Sequence, residues 1–335
     1  MNTLLKKFIS SFLAALFVFG ISALVITWAL SMGRDDGYVP PKTEEQKDEL
    51  AGRSFNLLLI MTDFAPERFD DYDPSAVKNI FDVEYTGSGK PEGLSGYRRI
   101  TAETMSILRF DKERGELTYT HIPGSVLVSA KGVKTRIGNL ILDHGVEFLV
   151  SKVQAITGIE IDSYFVFTPQ SAASAFDDVG DISYTIQSDM KYTDAEKGID
   201  IDIKAGSQKL NGEKTVGMLR FDGYGNIGIK RGSIICGYIK RFVNKLSGDF
   251  TYEELRSIID LLLSKEYVVS NFTFEDSEES IRLLSVSDGL DVVELSIVGS
   301  VQTIGGEKYF YLDEEKTLEV MMPYRKINAP NNIWK

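Results

Sequence analysis

Apolar residues are spaced in three different ways along this chain. From Phe8 to Met32 the run FISSFLAALFVFGISALVITWALSM contains no charged residue, and it exceeds the roughly 20 residues that cross a bilayer. Lys6 and Lys7 precede it, and Asp35 and Asp36 follow, which predicts a retained anchor with a cytoplasmic N-terminus and an exported body. The rival reading is a cleaved signal peptide, whose apolar region is only about 7–15 residues and ends at a small-residue site. No clean A-x-A occurs here. Short continuous apolar runs form the second kind. FNLLLIM (Phe55 to Met61) reads as a buried strand whose end presents Thr62 and Asp63, and SYFVFT (163–168) reads as another. Strands are also expected over 104–111 and 117–122, joined by the turn Lys112-Glu113-Arg114-Gly115.

Helical spacing is the third kind. VEFLVSKVQAITG (146–158) stops at Gly158, and PQSAASAFDDVG starts at Pro169 and stops near Gly180. Thr251-x-x-Glu254 forms a capping box, with Phe250 and Leu255 placed as a hydrophobic staple, and Asp276-x-x-Glu279 resembles a second helix start. The ending, from Val292 to Met322, returns to strands and a short helix. These elements predict one α/β domain with a central mixed sheet flanked by helices. The expected organisation is a cytoplasmic stretch (1–7), the anchor (8–32), a polar linker with two prolines (33–54), the exported domain (55–325) and a tail (326–335). Residues 64–97, rich in Asp, Gly and Pro, read as an irregular insertion.

Composition excludes several functions. The net charge of −12 and the lack of a long basic run argue against a nucleic-acid surface. A single cysteine, Cys236, rules out an intrachain disulfide framework or a Cys-based zinc cluster, and its apolar neighbours read as packing. Two histidines, His121 and His144, are too few for a His-rich metal site. Each reads as structural, with a single ligand or base role as the alternative.

One stretch carries candidate chemistry. VGMLRFDGYGNIGIKRGSIICGYIKRF (Val216 to Phe242) has an apolar run ending in Arg220, then a loop with three glycines, then a helical pattern from about Ser233. Arg220, Lys230 and Arg231 cluster at this seam. A glycine-rich turn with cations beside a helix start suits an anionic ligand such as phosphate.

The segments NLLLIMTD, HIPGSVLV, ITGIEIDSYFVFTPQSAASAFDDVGDI and AGSQKLNGEKTVGMLRFDGYGNIGIKRG, in that order behind an anchor, resemble the LytR-CpsA-Psr family of envelope proteins from Phe55 to about Met322. The resemblance implies a plasma-membrane protein with an extracellular domain. Such a domain binds a polyprenyl-pyrophosphate-linked glycan and transfers the glycopolymer to peptidoglycan, forming a phosphodiester. It also implies an apolar pocket for the lipid, an arginine cluster for the pyrophosphate and Mg2+ held by aspartates. Cations would offset charge on the transferring group, and positioning would supply much of the rest.

Carried over position by position, the resemblance makes Asp63 and Arg220 the catalytic candidates and Asp63 and Glu103 the metal ligands. Glu103 replaces the family's aspartate; a glutamate can still bind magnesium, but its extra methylene moves the carboxylate, which matters for a small ion that wants near-octahedral geometry. The family's other arginine positions fall on Thr101, Gly124, Asp222, Ile229 and Gly232, and an asparagine position falls on Gly138, beside Asn139. Replacement cations for the pyrophosphate would be Arg99, Lys230 and Arg231, alongside Arg220. If the strand runs back to Arg99, then Arg99, Thr101 and Glu103 share one face; the competing reading makes Arg98 and Arg99 a solvated loop pair. Each lost arginine removes a permanently charged, bidentate donor. Two functions therefore follow. One is a glycopolymer transferase with a relocated basic cluster. The other is a non-catalytic relative that binds lipid-linked glycan or envelope partners.

Overall fold

The computed structural model describes residues 54–63, 101–111, 116–194, 199–221, 223, 229–265, 268–273, 276, 278, 281 and 291–324, with the backbone alone at 229–231 and 291. The anchor, residues 33–53 of the linker, the 64–97 insertion, Arg99, the 112–115 turn and the tail lie outside them, while Ser54, assigned to the linker from sequence, begins the first strand. No helix among the described residues is long and apolar enough to cross a membrane.

A mixed sheet of six strands forms the centre. It comprises β1 (Ser54–Thr62), β2 (Ala102–Asp111), β3 (Glu116–Pro123), β6 (Ser163–Phe167), β11 (Val268–Ser270) and β12 (Asp291–Glu294), in the order β11-β6-β1-β2-β3-β12. β1 runs antiparallel to β2 and parallel to β6, while β12 runs parallel to β3. Near-continuous burial along β1 explains its unbroken apolar run, because both of its faces are covered. Leu58 and Ile60 point into one core with Leu149, Val153 and Ile156 of α2 (Val146–Thr157). Leu57 and Leu59 turn to the other core with Ile235, Cys236, Ile239 and Val243 of α5 (Ile229–Asp249) and Leu255 of α6 (Tyr252–Leu263). This is a helix–sheet–helix sandwich, the architecture expected from the sequence.

The helix signals act as read. Thr168 caps α3 (Pro169–Val179), and Gly158 ends α2 in the left-handed conformation at φ 66°. Both capping-box bonds form between Thr251 and Glu254, and Phe250 packs in the same cluster as Leu255. The second start is shifted upstream. Thr273 N–H donates to the Asp276 carboxylate and Asp276 N–H donates to the Thr273 hydroxyl, a reciprocal pair with Thr273 in the cap position; Glu279 lies outside the described residues. α5 begins at Ile229, four positions before the Ser233 expected from apolar spacing. Arg220, read as the end of an apolar run, ends a helix, α4 (Gly212–Arg220), capped by Asn211.

Two polar ribbons extend the fold. β7 (Ile182–Ile186) pairs with β10 (Gly206–Leu210), and β8 (Met190–Asp194) pairs with β9 (Ile199–Ile203). IDIDI in β9 alternates strictly between buried and exposed, and its isoleucines join Met218 and Tyr238 in a third core. Two hairpins, β4 (Leu127–Ala130) with β5 (Val133–Arg136) and β13 (Gly299–Ile304) with β14 (Glu307–Leu312), complete the strands. Two helices, α1 (Leu140–His144) and α7 (Glu314–Met321), flank the α2 side.

Candidate functional site

The C-terminal end of β1, the start of β2, the end of β3 and the last residue of α4 meet at one edge of the central sheet. Asp63 stands just past β1. Its Oδ1 accepts the Thr101 backbone N–H at 2.6 Å, its Oδ2 accepts the Thr101 hydroxyl at 3.0 Å, and its own N–H donates to the Thr101 carbonyl at 3.0 Å. Burial pushes the Asp63 carboxyl above its ordinary value; the Thr101 bonds oppose that shift, and the nearby Glu103 carboxylate adds to it. Thr101, at a position where the resemblance puts an arginine, therefore serves Asp63 as a hydrogen-bond clamp.

Glu103, two residues on, faces the end of α4. Arg220 Nε donates to Glu103 Oε2 at 2.7 Å and Nη2 donates to Oε1 at 3.2 Å, a two-point pair whose side chains are 7% and 16% exposed. Out of bulk water this pairing is strong and directional. Both Glu103 oxygens are turned to the guanidinium and both Asp63 oxygens to Thr101. Each of these four carboxylate oxygens accepts one hydrogen bond from its own chain. No group of three or more His, Cys, Asp or Glu side chains among the described residues forms a metal cluster.

The glycines at family arginine and asparagine positions are more than missing side chains. A Cβ at Gly124 would fall on the Ala102 carbonyl oxygen, and a Cβ at Gly138 would meet the same atom. The backbone has closed over both places: Gly124 N–H donates to the Glu103 carbonyl at 3.1 Å, and Gly138 N–H donates to the Gly124 carbonyl at 3.0 Å. At Gly232 a Cβ would approach Glu294 Oε1 to 3.1 Å and the His121 Cβ to 3.3 Å. The surroundings of that position are therefore acidic and aromatic. A cavity of only about 20 Å³, room for about one water, lies there among His121, Gly232, Glu294 and Phe310.

Among the candidates, Asp63, Glu103 and Arg220 come together. Arg99 lies outside the described residues, and Lys230 and Arg231 are placed only as the backbone of the first turn of α5. His121 is buried with Nδ1 3.2 Å from the Thr104 hydroxyl, and the His144 ring lies 4.7 Å from that of Phe148, tilted by 51°. Cys236 is buried, and its thiol is pushed up to about 11, first by burial and then by Glu294. The sequence reading did not find the direct Glu103–Arg220 pair, nor the backbone closure at Gly124 and Gly138.

The fold is thus a mixed α/β sandwich that carries carboxylates and an arginine where its central strands end. The LytR_cpsA_psr family profile matches residues 87–321, and the chain belongs to this LytR-CpsA-Psr family. A search of curated proteins returns no match. Among solved structures, the fold is similar to Bacillus subtilis TagV, with TM-score 0.60 and 18% identity over 81% of this chain and 95% of that one. It is also similar to TagT bound to LIIa-WTA, with TM-score 0.60 and 15% identity over 87% and 95%. A third similar structure is the Streptococcus agalactiae protein gbs0355, with TM-score 0.62 and 16% identity over 85% and 92%.

Proposed function

We propose that this chain serves cell-wall glycopolymer attachment, the role of the family's transferases. It engages a glycopolymer carried on polyprenyl pyrophosphate, and it is built more for binding that molecule than for rapid transfer. Support for the ligand class comes from family membership, from TagT's solved complex with LIIa-WTA, and from Arg220 paired with Glu103, whose charge in turn acts on Asp63. In full transfer, an acceptor hydroxyl of peptidoglycan attacks the glycan-side phosphorus. A phosphodiester forms, the phosphoanhydride breaks, the hydroxyl's proton passes to solvent, and polyprenyl phosphate leaves with the electron pair of the broken bond.

The single observation that carries the emphasis on binding is the two-point Glu103–Arg220 pair. A transferring phosphoryl group needs cations already aimed at it, and here the retained arginine is aimed at a carboxylate of its own chain. A pyrophosphate must compete with Glu103 for that guanidinium. The backbone closed over Gly124 and Gly138 removes two further places from which a donor would reach it.

Binding and turnover are separable in one experiment. The full chain in detergent is mixed with a polyprenyl-pyrophosphate glycan and peptidoglycan fragments, and retained lipid and released polyprenyl phosphate are both followed. Saturable retention with release at most slow is expected. Rapid release of polyprenyl phosphate would make the chain an ordinary transferase, and absence of retention would remove it from this chemistry.

A further inference from the structure

Strand β13 lies at the rim of the fold, and its outer edge pairs with no described strand. On its inner side it pairs with β14, in the register Gly299↔Leu312 to Ile304↔Glu307. β14 in turn meets the start of β4, through the Val126–Phe310 bridge and the Phe310 N–H bond to the Ser125 carbonyl at 3.0 Å. The hairpin turns at Gly305-Gly306, with φ of 61° and 86°, the left-handed pair that closes a two-residue connection. In such a hairpin the residues flanking the turn exchange both backbone hydrogen bonds, and bonded and non-bonded pairs then alternate. Ile304, Gln302 and Ser300 therefore direct their backbone groups to β14. Val301 and Thr303 turn theirs outward.

This edge is bare in composition as well as in pairing. GSVQTI has neither a charged residue nor a proline, in a chain of which 26% is charged. Domains usually guard an open edge with charges or proline. Each of the other two-stranded sheets does carry charge: Lys134 and Arg136 on β5, Lys191 and Asp194 on β8, Asp200 and Asp202 on β9, and Lys209 on β10. β13 instead leaves Val301 37% and Ile304 51% exposed, and every residue from Ser300 onward is exposed.

The strand is also complementary to itself. Laid antiparallel on a second copy with Gln302 at the two-fold axis, Val301 of each copy faces Thr303 of the other. Both outward backbone groups of each residue are then bonded, and the two Gln302 side chains meet, each able to donate and accept. No charge opposes a like charge along the seam. We propose that β13 is a self-association edge, through which two copies of this chain join into one continuous sheet, β14-β13-β13-β14. An unrelated extended peptide would find the same backbone groups, but the uncharged strand and its symmetric register select a second copy. The apolar run Phe8 to Met32, as the anchor expected from sequence, would keep copies in one plane and raise the local concentration of a small interface. The pairing uses none of Asp63, Glu103 and Arg220, so it stands apart from the ligand reading.

The test uses the full chain in detergent, with micelles in excess over protein. Light scattering over a dilution series gives a dimer that dissociates to monomer. Gln302→Lys sets like charges opposite each other and raises the dissociation constant about fivefold or more. Thr303→Pro removes one outward N–H from each copy and no bond to β14, and raises it about tenfold. Circular dichroism is unchanged in both, because both positions are exposed. In a non-bonded antiparallel pair the Cα atoms lie about 4.5 Å apart, within disulfide range, so Gln302→Cys forms a covalent dimer under a mild oxidant. Val301→Cys does not, because its two copies stand about 8 Å apart across the seam. The wild type, whose Cys236 is buried, is the blank. A monomeric wild type, a dissociation constant that Gln302→Lys leaves unchanged, or equal crosslinking of Gln302→Cys and Val301→Cys overturns the proposal.

Discussion

Two places on this protein hold an arginine in opposite electrostatic settings. At the sheet edge Arg220 is inside the protein and answered by Glu103 at two points. On α5, Arg241 is exposed, and among the described residues no carboxylate pairs with it. The first arrangement is strong, desolvated and already satisfied by the protein itself. The second is solvated and open to water. Cationic residues therefore mark a binding site only once their own chain's carboxylates have been counted, because a buried guanidinium with a partner gives up that partner before it takes another.

The comparison breaks most visibly at Arg220. Arg220→Ala strands Glu103 in a largely buried position and is expected to cost about 3 kcal/mol or more, read from chemical denaturation. A loss under about 1 kcal/mol would mean the pair is already open to water and resembles the setting of Arg241. Next is Gly124→Ala, which drives a Cβ into the Ala102 carbonyl and should cost about 1–3 kcal/mol in the same assay. A neutral result there would show that the closed backbone yields easily and that a family arginine could be restored.

A smaller effect follows from Asp63. Its raised pKa means that the folded state holds this proton more tightly than the unfolded chain does. The associated stability is complete below the ordinary carboxylate value of 3.8 and is lost as pH rises through the raised folded value. Asp63→Asn keeps an oxygen for the Thr101 N–H and should lack this fall in that window, measured as the difference between the two unfolding free energies against pH. Parallel curves would mean that Asp63 is hydrated like a surface carboxylate. The smallest effect is far from both sites: Thr251→Ala removes the cap of α6 and should cost about 1 kcal/mol, a baseline for changes with no bearing on anions.

Much of the frame could be read from local signals. Phe55 to Met61, Pro169, Gly158 and the Thr251–Glu254 box each state a strand, a start or a stop within a few residues, and each acts that way. The ribbons escaped notice although IDIDI alternates cleanly, because five residues of period two carry little weight without a known partner strand. At the site, Asp63, Glu103 and Arg220 were nameable one at a time through resemblance. Their pairing was not, since Glu103 and Arg220 lie 117 positions apart and only the packing of α4 against the sheet edge decides that a longer carboxylate meets the guanidinium. Gly124 and Gly138 read as deletions of side chains; that the backbone had moved in behind them is a fact of tertiary structure.

The central claim is that Glu103 competes with an anionic ligand for Arg220. It is tested most directly by titrating polyprenyl pyrophosphate into the full chain and into Glu103→Gln, which keeps the shape of the side chain but gives up its negative charge. The account predicts that Glu103→Gln binds about tenfold tighter, because the guanidinium no longer faces a carboxylate. Equal or weaker binding by Glu103→Gln would contradict it and would make the pair part of the ligand's own cradle.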